Sequence, residues 1–122
     1  MGIGGIFFKA KDPKKLAAWY DQILGFQFGD SAYTSLEPID AKSKNISGQT
    51  VFSFFKESSD YFKPSAKEFM INLRVEDLKS FVAQLEAAGI SLVGKLEDTE
   101  YGLFAWIMDP EGNKIELWQE KP

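Results

Sequence analysis

Glu116 stands in a short apolar run, Lys114–Trp118 (KIELW), and its neighbours make it the first candidate for chemistry. A carboxylate set among aromatic and aliphatic side chains loses hydration, which suits it to general acid or base work near neutrality. The alternative is a structural glutamate paired with Arg74 or Lys114. Arg74, the only arginine, could clamp a carboxylate or phosphate through its planar fork, or sit at a strand end neutralising Glu116 or Glu76. Asn72 could orient a ligand by hydrogen bonds, or lie solvated on a half-open face. Phe7, Phe52, Phe54, Trp106 and Trp118 could stack on a planar ligand, although each taken singly suits a core. Met70 suits cavity filling. Tyr61 and Phe62 either close over a cavity or pack at the surface, and Asp109 and Glu111 read as turn residues.

What is missing narrows the chemistry further. With no cysteine, disulfides, zinc–thiolate sites and a thiol nucleophile are excluded; with no histidine, so are a Ser-His-Asp triad and any imidazole-bound metal. A bound metal would have to rest on oxygen donors. Fourteen basic residues against eighteen acidic ones give a net charge of −4, and the lysines are scattered. Nucleic acid is therefore not an expected partner, whereas cationic small molecules are favoured. No apolar run is long enough for a membrane span. The first residues lack a basic region followed by an apolar core, so a cytoplasmic protein is expected. Aromatic residues make up 15% of the chain, enough for either a phenylalanine-rich core or an aromatic-lined cavity.

The elements that position these residues form an internal repeat. Residues 6–25 (IFFKAKDPKKLAAWYDQILG) and 71–89 (INLRVEDLKSFVAQLEAAG) each read as a short apolar strand, an amphipathic helix and a glycine. Asp12 before Pro13 predicts a helix start, and Asp77 predicts the second. Leu16, Trp19, Tyr20, Ile23 and Leu24 share one helical face. Leu78, Phe81, Val82 and Leu85 share the other, and Gly25 and Gly89 end the two helices. Strands are predicted at Phe26–Phe28, Tyr33–Leu36, Thr50–Phe55, Ser91–Gly94, Tyr101–Met108 and Lys114–Trp118, with Asp109–Asn113 as a hairpin loop. Glu37–Gln49 and Lys56–Lys67 read as loops. The result is a single α+β domain over residues 1–122. It consists of two βαβββ repeats (about 3–55 and about 68–120, joined by a linker over 56–67) forming curved mixed sheets, with helices on the outer face and a concave central cavity.

Three stretches, KDPKKLAAWYDQILGF, NLRVEDLKSFVAQLEAAGI and FAWIMDPEGNKIELWQ, make the chain resemble the vicinal oxygen chelate superfamily, which includes glyoxalase I, bleomycin-resistance proteins and extradiol dioxygenases. The resemblance covers nearly the whole chain and is most specific in the last stretch. It implies four strand positions for a divalent metal, and these fall at Gly5, within Thr50–Phe55 (Thr50 or Ser53), at Met70 and at Glu116. Only Glu116 is a strong ligand, so no cofactor is expected; were a divalent ion bound, Glu116 would be its one strong ligand. By period-two geometry, Gly5, Phe7, Lys9, Met70, Asn72, Arg74, Lys114, Glu116 and Trp118 would face the cavity. The alternate set, Ile6, Phe8, Ala10, Ile71, Leu73, Val75, Ile115 and Leu117, would pack on the helices. Thr50–Phe55 presents either Phe52 and Phe54 or Val51, Ser53 and Phe55.

Three functions are compatible with this pattern. The first is a metal-independent protein, similar to the bleomycin-resistance branch, that binds a planar or partly apolar, cationic small molecule. The second is a lyase or isomerase of the glyoxalase type, using Glu116 as base or as sole strong metal ligand. The third is a structural or regulatory protein with a protein partner. The resemblance also implies a homodimer, with Ile3–Phe8 available to pair across its interface.

Overall fold

The computed structural model describes residues 1–37 and 49–121. Most of the predicted Glu37–Gln49 loop thus lies outside the described residues. The elements run β1 (Gly2–Ala10), α1 (Pro13–Leu24), β2 (Tyr33–Leu36), β3 (Thr50–Lys56), β4 (Phe69–Arg74), α2 (Leu78–Ala87), β5 (Glu97–Thr99), β6 (Gly102–Met108) and β7 (Lys114–Glu120). They form one seven-stranded sheet in the order β2-β3-β1-β4-β7-β6-β5. In each half a parallel pair, β1 with β3 or β4 with β7, flanks the centre, where β1 and β4 run antiparallel. No helix among the described residues is long and apolar enough to cross a membrane.

Both helix starts follow from their caps. Asp12 accepts from the Lys15 N–H at 3.1 Å with Pro13 in the first turn, and Asp77 accepts from the Ser80 N–H at 3.2 Å. Gly25 ends α1 in the left-handed conformation, φ 73°, which a side chain would resist. The Asp109–Asn113 hairpin closes as expected: Asp109 Oδ1 accepts the backbone N–H of Glu111 and of Asn113, both at 2.9 Å.

Two predicted strands do not form. Phe26–Phe28 is tied to α1 instead of to the sheet, since the Phe28 N–H donates to Asp21 at 2.8 Å and the Phe26 N–H to the Tyr20 carbonyl. Ser91–Gly94 makes one sheet-like bond, Val93 N–H to the Trp106 carbonyl at 2.7 Å. The edge strand is Glu97–Thr99, whose acidic sequence carries no strand signature. Among the described residues the first half is therefore βαββ and the second βαβββ. The Ile3–Phe8 strand cannot pair edge-on with another chain, because β1 is hydrogen-bonded on both sides, to β3 and β4.

Side chains sort onto two faces. Under α1, Ala10, Ala17, Phe28 and Phe54 are buried with Tyr20, Phe26 and Phe52 against them. Under α2 lie Val75, Leu78, Val82, Ala105 and Leu117. Phe52 and Phe54, candidates for the cavity, are thus on the helix side, with the Tyr20 and Phe54 rings 5.1 Å apart. The helices do not cover the whole outer face. Along the β1–β4 seam, Ile3, Phe8, Phe69 and Ile71 remain 36–48% exposed.

Candidate functional site

One row of backbone partners crosses the concave face: Val51 opposite Gly5, Gly5 opposite Asn72, Asn72 opposite Glu116, and Glu116 opposite Trp106. Glu116 therefore sits level with Asn72. Met70, the expected family position in the second half, is one pleat away and fully buried with Phe7, Phe62 and Trp106. The β3 residues on this face are Val51 and Phe55, the second of the two faces the sequence left open.

Glu116 is 2% exposed and accepts from three side chains. Asn72 Nδ2 donates to Oε1 at 2.7 Å, Trp106 Nε1 donates to Oε2 at 2.8 Å, and the Tyr61 hydroxyl also donates to Oε2. No ion pair reaches it among the described residues. The expectation that Arg74 neutralises Glu116 or Glu76 is corrected. Its Nε bonds Glu120 at 3.0 Å, another guanidinium nitrogen donates to the Gln49 carbonyl at 2.8 Å, and the group lies 4.9 Å from the Trp118 ring centre. Arg74 thus stiffens the wall behind Trp118.

Tyr61 joins the site although the sequence marks it only weakly. It lies in the linker between β3 and β4, where no hydrophobic period marks it; the only signal is an adjacent aromatic pair, Tyr61-Phe62, within a polar stretch. Phe62 is fully buried, its ring 5.0 Å from that of Phe55. The Tyr61 ring stays 40% exposed while its hydroxyl reaches Glu116. Lys114 Nζ donates to the Tyr61 carbonyl at 2.7 Å and lies over the Tyr61 and Trp106 rings. Burial, and then the negative charge of Glu116, push the Tyr61 phenol far above its ordinary value, so it remains a donor. Desolvation lowers the Lys114 ammonium, with Glu116 opposing that shift.

Above this floor opens a cavity of about 630 Å³, within the range of small-molecule sites. Phe7, Phe55, Phe104 and Trp118 supply its aromatic walls. Phe104 and Trp118 are stacked to within 6° of parallel, and Trp118 Nε1 donates to the Tyr101 carbonyl at 2.9 Å. Tyr33 and Tyr101, from the two ends of the sheet order, both line it and are 61% and 69% exposed. Of the expected ligand-binding residues, Phe7, Asn72, Glu116 and Trp118 meet here. Trp106 turns its N–H to Glu116 and lines a side cleft with Tyr61 and Lys114. Phe104, Tyr33 and Tyr101 carry no sequence signal for the site, because a strand's facing is not fixed until its register is.

The floor depends on glycine. β1 bulges between Ile3 and Gly5, and a β-carbon on Gly4 would fall 2.2 Å from Asn72 Oδ1 and 3.1 Å from Trp118. That oxygen is buried without a hydrogen-bond partner.

A divalent ion does not fit these residues. The row holds one carboxylate and one amide, with Gly5 and Val51 in the remaining places. The N–H and O–H groups around Glu116 turn their positive ends toward its oxygens, where a cation would need free lone pairs. Among the described residues no three Asp or Glu side chains cluster closely enough to hold a metal.

Residues 5–118 match the family model of the glyoxalase-like domain. Among solved structures, methylmalonyl-CoA epimerase of Streptomyces coelicolor superposes with a TM-score of 0.72 at 12% identity, covering 100% of this chain and 99% of that one. The Mycobacterium tuberculosis methylmalonyl-CoA epimerase gives 0.64 at 20% identity, covering 99% and 89%. A glyoxalase/bleomycin resistance protein/dioxygenase superfamily member from Vibrio splendidus 12B01 gives 0.60 at 16%, covering 94% and 96%. No curated protein matches the chain. At these identities the structural likeness speaks for the fold alone.

Proposed function

The chain belongs to the glyoxalase-like domain family, with the vicinal oxygen chelate fold, and from that premise we propose that it binds a small planar or partly apolar molecule in its aromatic cavity, in the cytoplasm and without a metal. The observation that carries this reading is the state of Glu116. A general base must offer a lone pair to the proton it abstracts, and donors already fill three of the roughly four acceptor positions of this buried carboxylate, both of those on Oε2 and one on Oε1. It is built as a fixed polar point beneath aromatic walls. Equilibrium titration of an aromatic small-molecule panel, read by tryptophan fluorescence, tests it. Saturable binding that Trp118→Ala weakens is expected, and a panel that leaves the signal unchanged would overturn the reading.

A second reading, a lyase or isomerase of the glyoxalase type, is favoured by one observation: Glu116 and Asn72 line the cavity side by side. It requires turnover of the bound molecule, whereas the first reading requires stoichiometric binding with the ligand recovered unchanged.

We also propose that a second copy of the chain covers the seam of β1 and β4. Ile3, Phe8, Phe69 and Ile71 are exposed there, at the centre of a sheet whose two halves mirror each other in strand order. A face at such a centre can meet its own copy about a twofold axis.

A further inference from the structure

Building on the small-molecule reading, we propose that the ligand is an organic cation, a protonated amine carried on an aromatic or alkyl body. Two observations point to this class independently.

The first is the inventory of donors. Among the described residues, the cations and the amide and indole nitrogens around the cavity each already have a partner. Lys121 pairs with Asp98 at 2.8 Å and Arg74 with Glu120 at 3.0 Å. Lys114 is spent on the Tyr61 carbonyl. The Trp106 and Asn72 N–H groups point to Glu116, and that of Trp118 points to Tyr101. A carboxylate or phosphate entering here would find no free cation among the described residues.

The second is the surplus of acceptors. Asn72 is 2% exposed and lines the cavity floor, and its Oδ1 has no donor. Beside it, the Glu116 carboxyl group is held only by neutral donors and has no cation paired to it among the described residues. Glu100 lines the same cavity and has no ion pair among the described residues. Negative charge bounded by the faces of Tyr33, Tyr101 and Trp118 attracts an ammonium group both by Coulomb attraction and through the ring quadrupoles.

The test compares three probes of one shape: naphthylmethylammonium, naphthylmethanol and naphthoate, titrated calorimetrically into the intact protein. The ammonium is expected to bind about tenfold tighter than the alcohol, with naphthoate weakest. Added salt and Glu100→Gln should each narrow the ammonium-to-alcohol ratio; Glu100 is exposed, so its variant keeps the fold. Equal binding of all three, or preference for naphthoate, overturns the cation inference while leaving the aromatic cavity standing. Failure of all three to bind overturns both.

Discussion

Tyr61 and Glu116, separated by 55 residues, are joined by a hydrogen bond that fastens the linker between the two halves onto the floor of the concave face. The bond ties a segment without regular structure to the most buried charge of the sheet. Lys114 holds the same segment by its backbone.

Tyr61→Phe removes one of three donors to a buried carboxylate. Bonds of that kind contribute about 1–3 kcal/mol, and the partly exposed ring places this loss near the lower end. The variant should also change the response to alkali. The folded-state phenol is raised, so its contribution is fully present below the ordinary tyrosine value of about 10 and declines as pH climbs above it. Urea unfolding on both sides of that value should show the decline in the parent and a shallower one in Tyr61→Phe. Equal slopes would mean that the phenol is not held neutral by the fold.

Gly4→Ala places a methyl group 2.2 Å from Asn72 Oδ1. Asn72 cannot swing away without releasing Glu116, so the bulge or the floor must move. A cost of about 1–3 kcal/mol is expected, together with weaker ligand binding. Thermal melting and fluorescence titration check the two effects. Unaltered stability would show that the floor is more compliant than its hydrogen bonds imply.

Glu116→Gln keeps the shape and removes the charge. The new amide turns at least one N–H toward groups that are themselves donors, so the floor loosens. Ligand binding should be abolished while circular dichroism retains the folded spectrum. A folded variant with parental affinity would remove Glu116 from the site.

The outer seam predicts the state of assembly. Sedimentation at tens of micromolar should give twice the chain mass of 13.7 kDa. Ile71→Lys should return the protein to a monomer by setting a charge in the apolar stripe. A parent that sediments as a monomer would leave the seam without a partner copy.

How far the sequence exposes this arrangement depends on what each segment's information is local to. Helix caps at Asp12 and Asp77, and the Asp109–Asn113 turn, are decided within a few residues, and the structure has them where expected. Period two places Ala10, Leu73, Val75, Ile115 and Leu117 of the apolar set under the helices, whereas Phe8 and Ile71 share that face but stay exposed along the seam. The same period failed at Thr50–Phe55, where both faces are aromatic and alternation has nothing to distinguish. Met70 shares a face with Asn72 as expected, but the pairing of β4 with β7 sets Asn72, not Met70, level with Glu116, and that register is decided between strands rather than within one. From the sequence Tyr61 reads as a cover for the cavity or a surface residue, and its bond to Glu116 belongs to the tertiary fold alone.

The place of β1 at the sheet centre has a consequence for synthesis. Its partners, β3 and β4, both follow it in the chain. As the protein leaves the ribosome, Gly2–Ala10 has no strand partner until Thr50–Lys56 emerges, and it gains its second only with Phe69–Arg74. Non-local pairing of this kind folds slowly and leaves apolar strands exposed to other chains. A strand that ends with a partner on each side thus begins as an apolar segment open to other chains during translation.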